Sequence, residues 1–400
     1  MAVEVVRRFG LRLGPYLVVR SPDPASAGWQ APLAERRRAR MIPAKWEASM
    51  DWSFMANRRI VRLNARLFPA GLYERAQWAR FGMTPIEVEA NTPAEIIPHV
   101  AEAEAVFVVS TSLPAEVIDA MGKCRVISRL GLGTDKIAVA HAKSRGIVVT
   151  NVPYFCIEEQ ADHSMAMLLG LARKIPQTQA DMKLGAYRHA QDIVRSNRRL
   201  TGRVLGLVGF GNSAKLTARR AQGFGLKVIA TRRRMSAENA ADWGVELTDL
   251  DTLLHMSDYV SLHLPLMAET YHMIDAAALA KMRPDAFLIN TSRGALVDED
   301  ALYTALVEGR LAGAGIDTFE QIDVFAEESV PTLPLLSLPN VIATPHVAAG
   351  SIESGQDVSR GGVENLATIL AGHWPIGENI VNAGVEPRVS LAPYEPGLLG

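Results

Sequence analysis

The chain has 400 residues, 48% of them hydrophobic and 21% charged, with a formal net charge of −1. That length suits two domains with sizeable cores rather than one, and the near-zero charge supplies no general field to attract nucleic acid or an anionic membrane. Two cysteines, Cys124 and Cys156, form neither a disulfide framework nor a metal-binding spacing. No apolar run reaches the ~18 to 20 residues of a membrane span, and the N-terminus lacks the apolar core of a signal peptide. These features predict a cytoplasmic protein with no metal site.

The segment 1–58 is rich in arginine (Arg7, Arg8, Arg12, Arg20, Arg36, Arg37, Arg38, Arg40) and carries Tyr16, Trp29, Trp46 and Trp52. It reads as an extension that packs on its own subunit or on a partner. Strand patterns then fall at 59–63, 87–89, 105–109, 126–128 and 147–150, alternating with helical stretches such as 114–121 and 137–144. That rhythm predicts a small parallel α/β domain, with polar strand ends at Ser110, Thr111 and Ser112 and in the loop 130–133. A helix over 158–174, apolar nearly all round through Met165, Met167, Leu168, Leu169 and Leu171, must be buried and links two domains.

The most informative stretch is 204–234, VLGLVGFGNSAKLTARRAQGFGLKVIATRRR. It reads as strand 204–208, a glycine turn at Gly209 and Gly211, a helix opening at Asn212 and Ser213, and a second strand 227–231 beside the first. Ala214 stands at the third glycine of G-x-G-x-x-G. Where a reader of a ribose 2′-OH carries Asp or Glu, this chain has Arg232, followed by Arg233 and Arg234. A carboxylate there repels a 2′-phosphate, whereas guanidinium groups pair with it, so NADP(H) is favoured, with NAD(H) as the alternative. Further strands at 259–262, 286–290, 313–317 and 341–344 each end in a polar cluster, where an open parallel sheet binds its ligand. A last helix pattern covers 364–371. His163, His255 and His263 have no carboxylate or cysteine at metal spacing and read as core or surface residues.

The clusters INTSRGALVDEDAL, AGAGIDTFE and NVIATPHVAAG resemble the D-isomer-specific 2-hydroxyacid dehydrogenases over about residues 59–385. Segments such as GIVVTNVPYFCIEEQADHSMAMLLGLAR lean towards the glyoxylate or hydroxypyruvate reductase and C-terminal-binding-protein branches. The resemblance implies two Rossmann-like parallel-sheet α/β domains, with a nucleotide domain (154–351) inserted into a discontinuous substrate domain (59–153 and 352–400). The implied activity is interconversion of a small 2-oxo acid and its D-2-hydroxy acid by hydride transfer. A cofactor-sensing, partner-binding protein of the C-terminal-binding-protein type is the alternative. A homodimer is also implied, paired through the long helix and its neighbouring loop.

Carried over to this sequence, Arg293 matches the substrate-binding arginine and His346 the proton donor in reduction. The fork of a guanidinium suits a carboxylate, and an imidazole titrates near neutrality. The third catalytic group is a glutamate that hydrogen-bonds the histidine. Here the run DTFEQIDVFAEES departs from the usual D-V-F-x-x-E-P and the loop is several residues longer, so Glu320 is preferred over Glu328, with Glu327 behind them. Asp317 is implied to bind the nicotinamide carboxamide. Thr291 and Ser292 lie along the cofactor, with Leu264 and Pro265 under its adenosine half. Ser110, Thr111 and Gly131 are implied to cradle the substrate carboxylate. Val109 replaces an arginine common in relatives, which predicts that a second cation is missing and argues against a phosphorylated substrate.

Overall fold

The computed structural model describes residues 51–395, apart from 233–239, 323 and 326–332. Most of the expected extension, together with Arg233, Arg234, Glu327 and Glu328, lies outside the described residues.

Strands β1 (Ile60–Leu63), β2 (Ile86–Val88), β3 (Ala105–Val108), β4 (Val126–Arg129) and β5 (Val148–Thr150) form one sheet in the order β2-β1-β3-β4-β5. Every pairing is parallel, and all residues of β1 and β3 are buried. Both observations fit a sheet covered on its two faces, which explains strands that read as continuous apolar runs. Val61, Val106, Ile96, Val117, Ile118, Met121 and Ile127 share its core. On β1 the side chain of Arg62 is also buried, in a bidentate pair with Glu74 at 2.8 and 3.0 Å.

Seven further strands, β6 (Val204–Val208), β7 (Lys227–Thr231), β8 (Glu246–Leu247), β9 (Tyr259–Leu262), β10 (Phe287–Asn290), β11 (Gly313–Ile316) and β12 (Val341–Ala343), make a second parallel sheet. Its order is β12-β11-β10-β9-β6-β7-β8. The chain winds one way from β6 to β8 and the other way from β9 to β12, so a crevice opens at the carboxyl ends of β6 and β9. β8, two residues long at the edge, is too short to leave a periodic signal.

The long helix Ile157–Arg173 buries Met165, Met167 and Leu168 against Leu205, Leu207 and Ile289 of the second sheet. It ends at Lys174, in the left-handed conformation at φ 54°, and helices Ile175–Lys183 and Tyr187–Ile193 follow. The last helix runs over Ile352–Leu370, a dozen residues longer at its start than the sequence pattern suggests. Ser351 caps it by accepting from Ser354 N at 2.8 Å. Gly355, Gly361 and Gly362 interrupt the apolar period and hide that first half. The chain then returns to the first sheet: Ile380 bridges Thr150, and the Asn382 side chain accepts from Val149 N and donates to Ile147 O. No helix among the described residues is long and apolar enough to cross a membrane.

Candidate active site

The β6 turn has the shape a pyrophosphate needs. Gly209 sits at φ +91°, and a Cβ there would collide with the His263 carbonyl, so only glycine fits. At Gly211, the residue before helix Asn212–Gly223, a side chain would meet open space, which leaves the first N–H groups of that helix accessible. Ala214 is fully buried beneath the turn. Ser213 Oγ lies 3.2 Å from His263 Nδ1, and His263 Nε2 is 2.9 Å from Ser261 Oγ. Burial lowers that imidazole to about 4, so it is a neutral bridge between the β9 end and the helix start. Arg232, at the end of β7, donates from Nη1 to Phe210 O at 2.7 Å and is otherwise exposed at the rim of the turn. Leu264 and Pro265 follow β9, with the Pro265 carbonyl held by Thr270 Oγ1 at 2.9 Å.

The end of β10 carries the cation. Asn290 clasps the turn, accepting from Ser292 N and donating to Arg293 O, while Ser292 Oγ donates to Leu262 O across to β9. Thr291 is fixed from the long helix, where Gln160 donates to its carbonyl at 3.0 Å and Ser164 Oγ meets its hydroxyl at 2.9 Å. The turn thus aims Arg293 into a cleft between the two sheets, where its Nε donates to Asp135 Oδ1 at 3.1 Å. Burial raises the Asp135 carboxyl, but the Arg293 charge and hydrogen bond, a local backbone N–H and the Arg129 charge together outweigh it and hold the group below its ordinary value. A Cβ on Gly133 would fall on the Arg293 guanidinium, so the loop 130–133 approaches that closely only as glycine.

The end of β11 carries the histidine, through Asp317. That carboxylate is fully buried. Oδ1 accepts from Thr344 Oγ1 at 2.5 Å and Val347 N at 2.9 Å, and Oδ2 accepts from Ala348 N at 2.9 Å. The Asp317 carbonyl accepts from His346 N at 2.7 Å. Four bonds from one residue fold the segment 344–348 into a turn that holds His346 at φ 56°, a left-handed conformation costly for a residue with a Cβ. Both carboxylate oxygens are engaged in building the histidine turn, a role beyond the expected contact with a nicotinamide carboxamide; Oδ2, with one donor, retains a lone pair. His163 on the long helix, read from sequence as core or surface, completes the network at 2.9 Å from Thr344 Oγ1.

His346 opens into the same cleft as Arg293. Burial lowers its pKa below the ordinary value and Arg293 lowers it further, while the Asp317 charge partly opposes them. Among the described residues the preferred glutamate, Glu320, does not bond to His346; Glu327 and Glu328 lie outside them. Glu320 and Gln321 donate from their backbone N–H groups to Glu299 at 2.8 and 3.2 Å, which fixes the loop, and the Glu320 carboxylate is then 2.5 Å from His272 Nε2. Glu320 lines the cleft, but its hydrogen bond goes to His272 rather than His346. Instead, the Phe325 ring lies against His346, with centroids 5.2 Å apart, and against Phe68 at 5.3 Å.

On the first sheet two expectations change. The N–H groups of Ser110 and Thr111 donate to Asn64 Oδ1 at 2.9 and 3.0 Å, so these donors, expected for a substrate carboxylate, are already satisfied. Asn64 itself sits at φ 63° beyond β1. Gly131 N donates to Arg129 O. Nor is a second cation missing: Arg129, the last residue of β4, lines the cleft and donates to the carbonyls of Gly133 and Leu130. Burial and the nearby Arg293 lower it to about 10, still charged at neutral pH. Its only sequence signal was an arginine at a strand's carboxyl end.

A glycine turn at the switch point of a doubly wound sheet, with a cleft at the carboxyl ends of β10 and β11 that holds two guanidinium groups and an imidazole, fits a nicotinamide-dinucleotide oxidoreductase acting on a small anion. The sequence model described as "D-isomer specific 2-hydroxyacid dehydrogenase, NAD binding domain" matches residues 165–348. The chain is 39% identical over 292 residues to a glyoxylate reductase of Korarchaeum cryptofilum, covering 72% of this chain and 86% of that one. It is 37% identical over 286 residues to a hydroxypyruvate reductase of Thermotoga maritima, covering 71% and 89%. The crystal structure of D-lactate dehydrogenase from Aquifex aeolicus, complexed with NAD and lactic acid, aligns with TM-score 0.71 at 27% identity, over 81% of this chain and 99% of that one. The chain belongs to the D-isomer specific 2-hydroxyacid dehydrogenase family. It is a 2-hydroxyacid dehydrogenase that reduces 2-oxo acids, with a nicotinamide cofactor.

Proposed function

We propose that the chain is an NADP(H)-preferring 2-oxoacid reductase in which Arg293 anchors the substrate carboxylate and polarises its carbonyl while His346 delivers the proton. The observation that carries this reading is that both side chains line one cleft. Gly209, Gly211, Asn212 and Ser213 would hold the cofactor's phosphates, Leu264 and Pro265 its adenosine half, and Thr291 and Ser292 its nicotinamide half. Bound there in reduced form, the cofactor would supply a hydride for the carbonyl carbon. Arg293 and Arg129 together draw the carboxylate into the cleft, with Asp135 keeping the Arg293 fork in place. Charge developing on the carbonyl oxygen is met by Arg293 and by the proton on His346. Arg232 at the end of β7 supports preference for a 2′-phosphate. The segments 59–153 and 352–400 serve as the substrate domain and 154–351 as the nucleotide domain.

A homodimer fits the two helices that follow the long one. They expose Ile175, Met182, Leu184 and Tyr187, which are 54%, 57%, 82% and 58% accessible in the isolated chain. The buried free thiols of Cys124 and Cys156, both pushed up to about 12 by burial, suit a reducing cytoplasm. The test is oxidation of NADPH, with NADH in parallel, by the full chain in the presence of 2-oxo acids. Turnover with higher kcat/KM for NADPH is expected; cofactor binding without turnover on any acid would overturn the reading.

A further inference from the structure

We propose that the 2-oxo acid reduced at this site carries an apolar side chain, branched or aromatic, and that Phe325 on the lengthened loop after β11 selects it. The inference rests on the reductase reading and names its substrate class. If Arg293 takes the carboxylate and His346 faces the carbonyl oxygen, the one remaining substituent must lie against whatever else lines the cleft. Beside His346 that surface is Phe325, joined by Ile322, Val324, Leu266 and Val109. Phe325 also packs edge-on to Phe68, so its ring bridges His346 and the segment following β1 and presents an apolar face beside the reacting position. The cavity holds about 330 Å³, at the low end of the ~300–1,000 Å³ usual for small-molecule sites. Glyoxylate, with no side chain, leaves that wall unused.

A hydroxyl or charged side chain fares worse. Such a group placed against the Phe325 ring would lose water, and the ring offers it no hydrogen bond in return. Of the polar groups lining the cleft, Glu320 is bonded to His272 and the Arg129 guanidinium is tied to carbonyls of its own loop next to Arg293, on the side that receives the carboxylate, while the buried Thr318 Oγ1 has no hydrogen-bond partner. Lys136 also lines the cleft but is solvent-exposed at its rim.

The experiment is to measure kcat/KM with the full chain and saturating NADPH for glyoxylate, hydroxypyruvate, phosphohydroxypyruvate, 2-oxoglutarate, 2-oxoisocaproate and phenylpyruvate. At least about a tenfold advantage is expected for one of the last two over each of the others, since one methylene in an apolar pocket is worth ~10- to 200-fold. In Phe325→Ala the ratio of that acid to glyoxylate should fall about tenfold, and in Phe325→Leu it should largely return. NADPH binding by each variant reports that it is folded. Preference for a small, phosphorylated or dicarboxylic acid, or an unchanged ratio in Phe325→Ala, would overturn the inference while leaving the reductase intact. No turnover on any acid would remove both.

Discussion

The carboxyl edges of the two sheets face each other across one cleft and are used in different ways. On the second sheet the polar side chains at strand ends are scaffolding: Asn290 folds the turn that aims Arg293, and Asp317 folds the turn that presents His346. On the first sheet the strand-end backbone donors are consumed by Asn64, and a single side chain from β4, Arg129, faces the cleft. Chemistry is concentrated where buried polar groups fix a turn, because a reacting group must be held within a fraction of an ångström. The facing edge needs only to supply charge and a wall.

That contrast can be broken first at its strongest point. Replacing Arg293 with alanine should lower kcat/KM for any 2-oxo acid at least about a hundredfold, the scale of a preorganised electrostatic contact, with cofactor binding retained. A near-normal kcat/KM would return the anchoring role to Arg129. Asp317→Asn probes the scaffold. An amide cannot accept from Val347 and Ala348 with both of its heteroatoms, so the turn shifts and kcat should fall about ten- to a hundredfold. The sign of the pH effect also follows. Reduction needs His346 protonated, so its rate is full below the His346 pKa and declines as pH rises through it. That pKa already lies below the ordinary histidine value, and Asp317 is the larger of the two charges that raise it, ahead of Asp135. Removing the charge moves the decline to lower pH; an unmoved profile would mean that Asp317 only stabilises the fold. The smallest effect is at the rim: Arg232→Asp should reduce selectivity for NADPH over NADH about tenfold, and unchanged selectivity would assign the 2′-phosphate to another residue.

The same contrast explains what was legible in the sequence. Apart from β8, which leaves no signal, the strands of the second sheet lie within a residue of the apolar runs that mark them, and β6, β7 and β9 coincide with them. Arg293 and His346 were legible through the family resemblance, in motifs that follow strand ends. Side-chain partners did not follow from spacing. Whether Glu320 meets His346 or His272 depends on Glu299, in the preceding strand connection, capturing the loop backbone. Asn64 takes the Ser110 and Thr111 N–H groups from across a parallel strand pair, a contact with no sequential signature. The same limit hid Arg129, whose approach to Arg293 depends on the folded loop 130–133.

The most direct test of the account uses NADPH dideuterated at C4 of the nicotinamide with the 2-oxo acid that turns over best, followed by chiral analysis and mass spectrometry of the product. The account predicts a D-2-hydroxy acid carrying one deuterium at C2. Cofactor oxidised without label in a hydroxy acid, or label in the L-isomer, would contradict it.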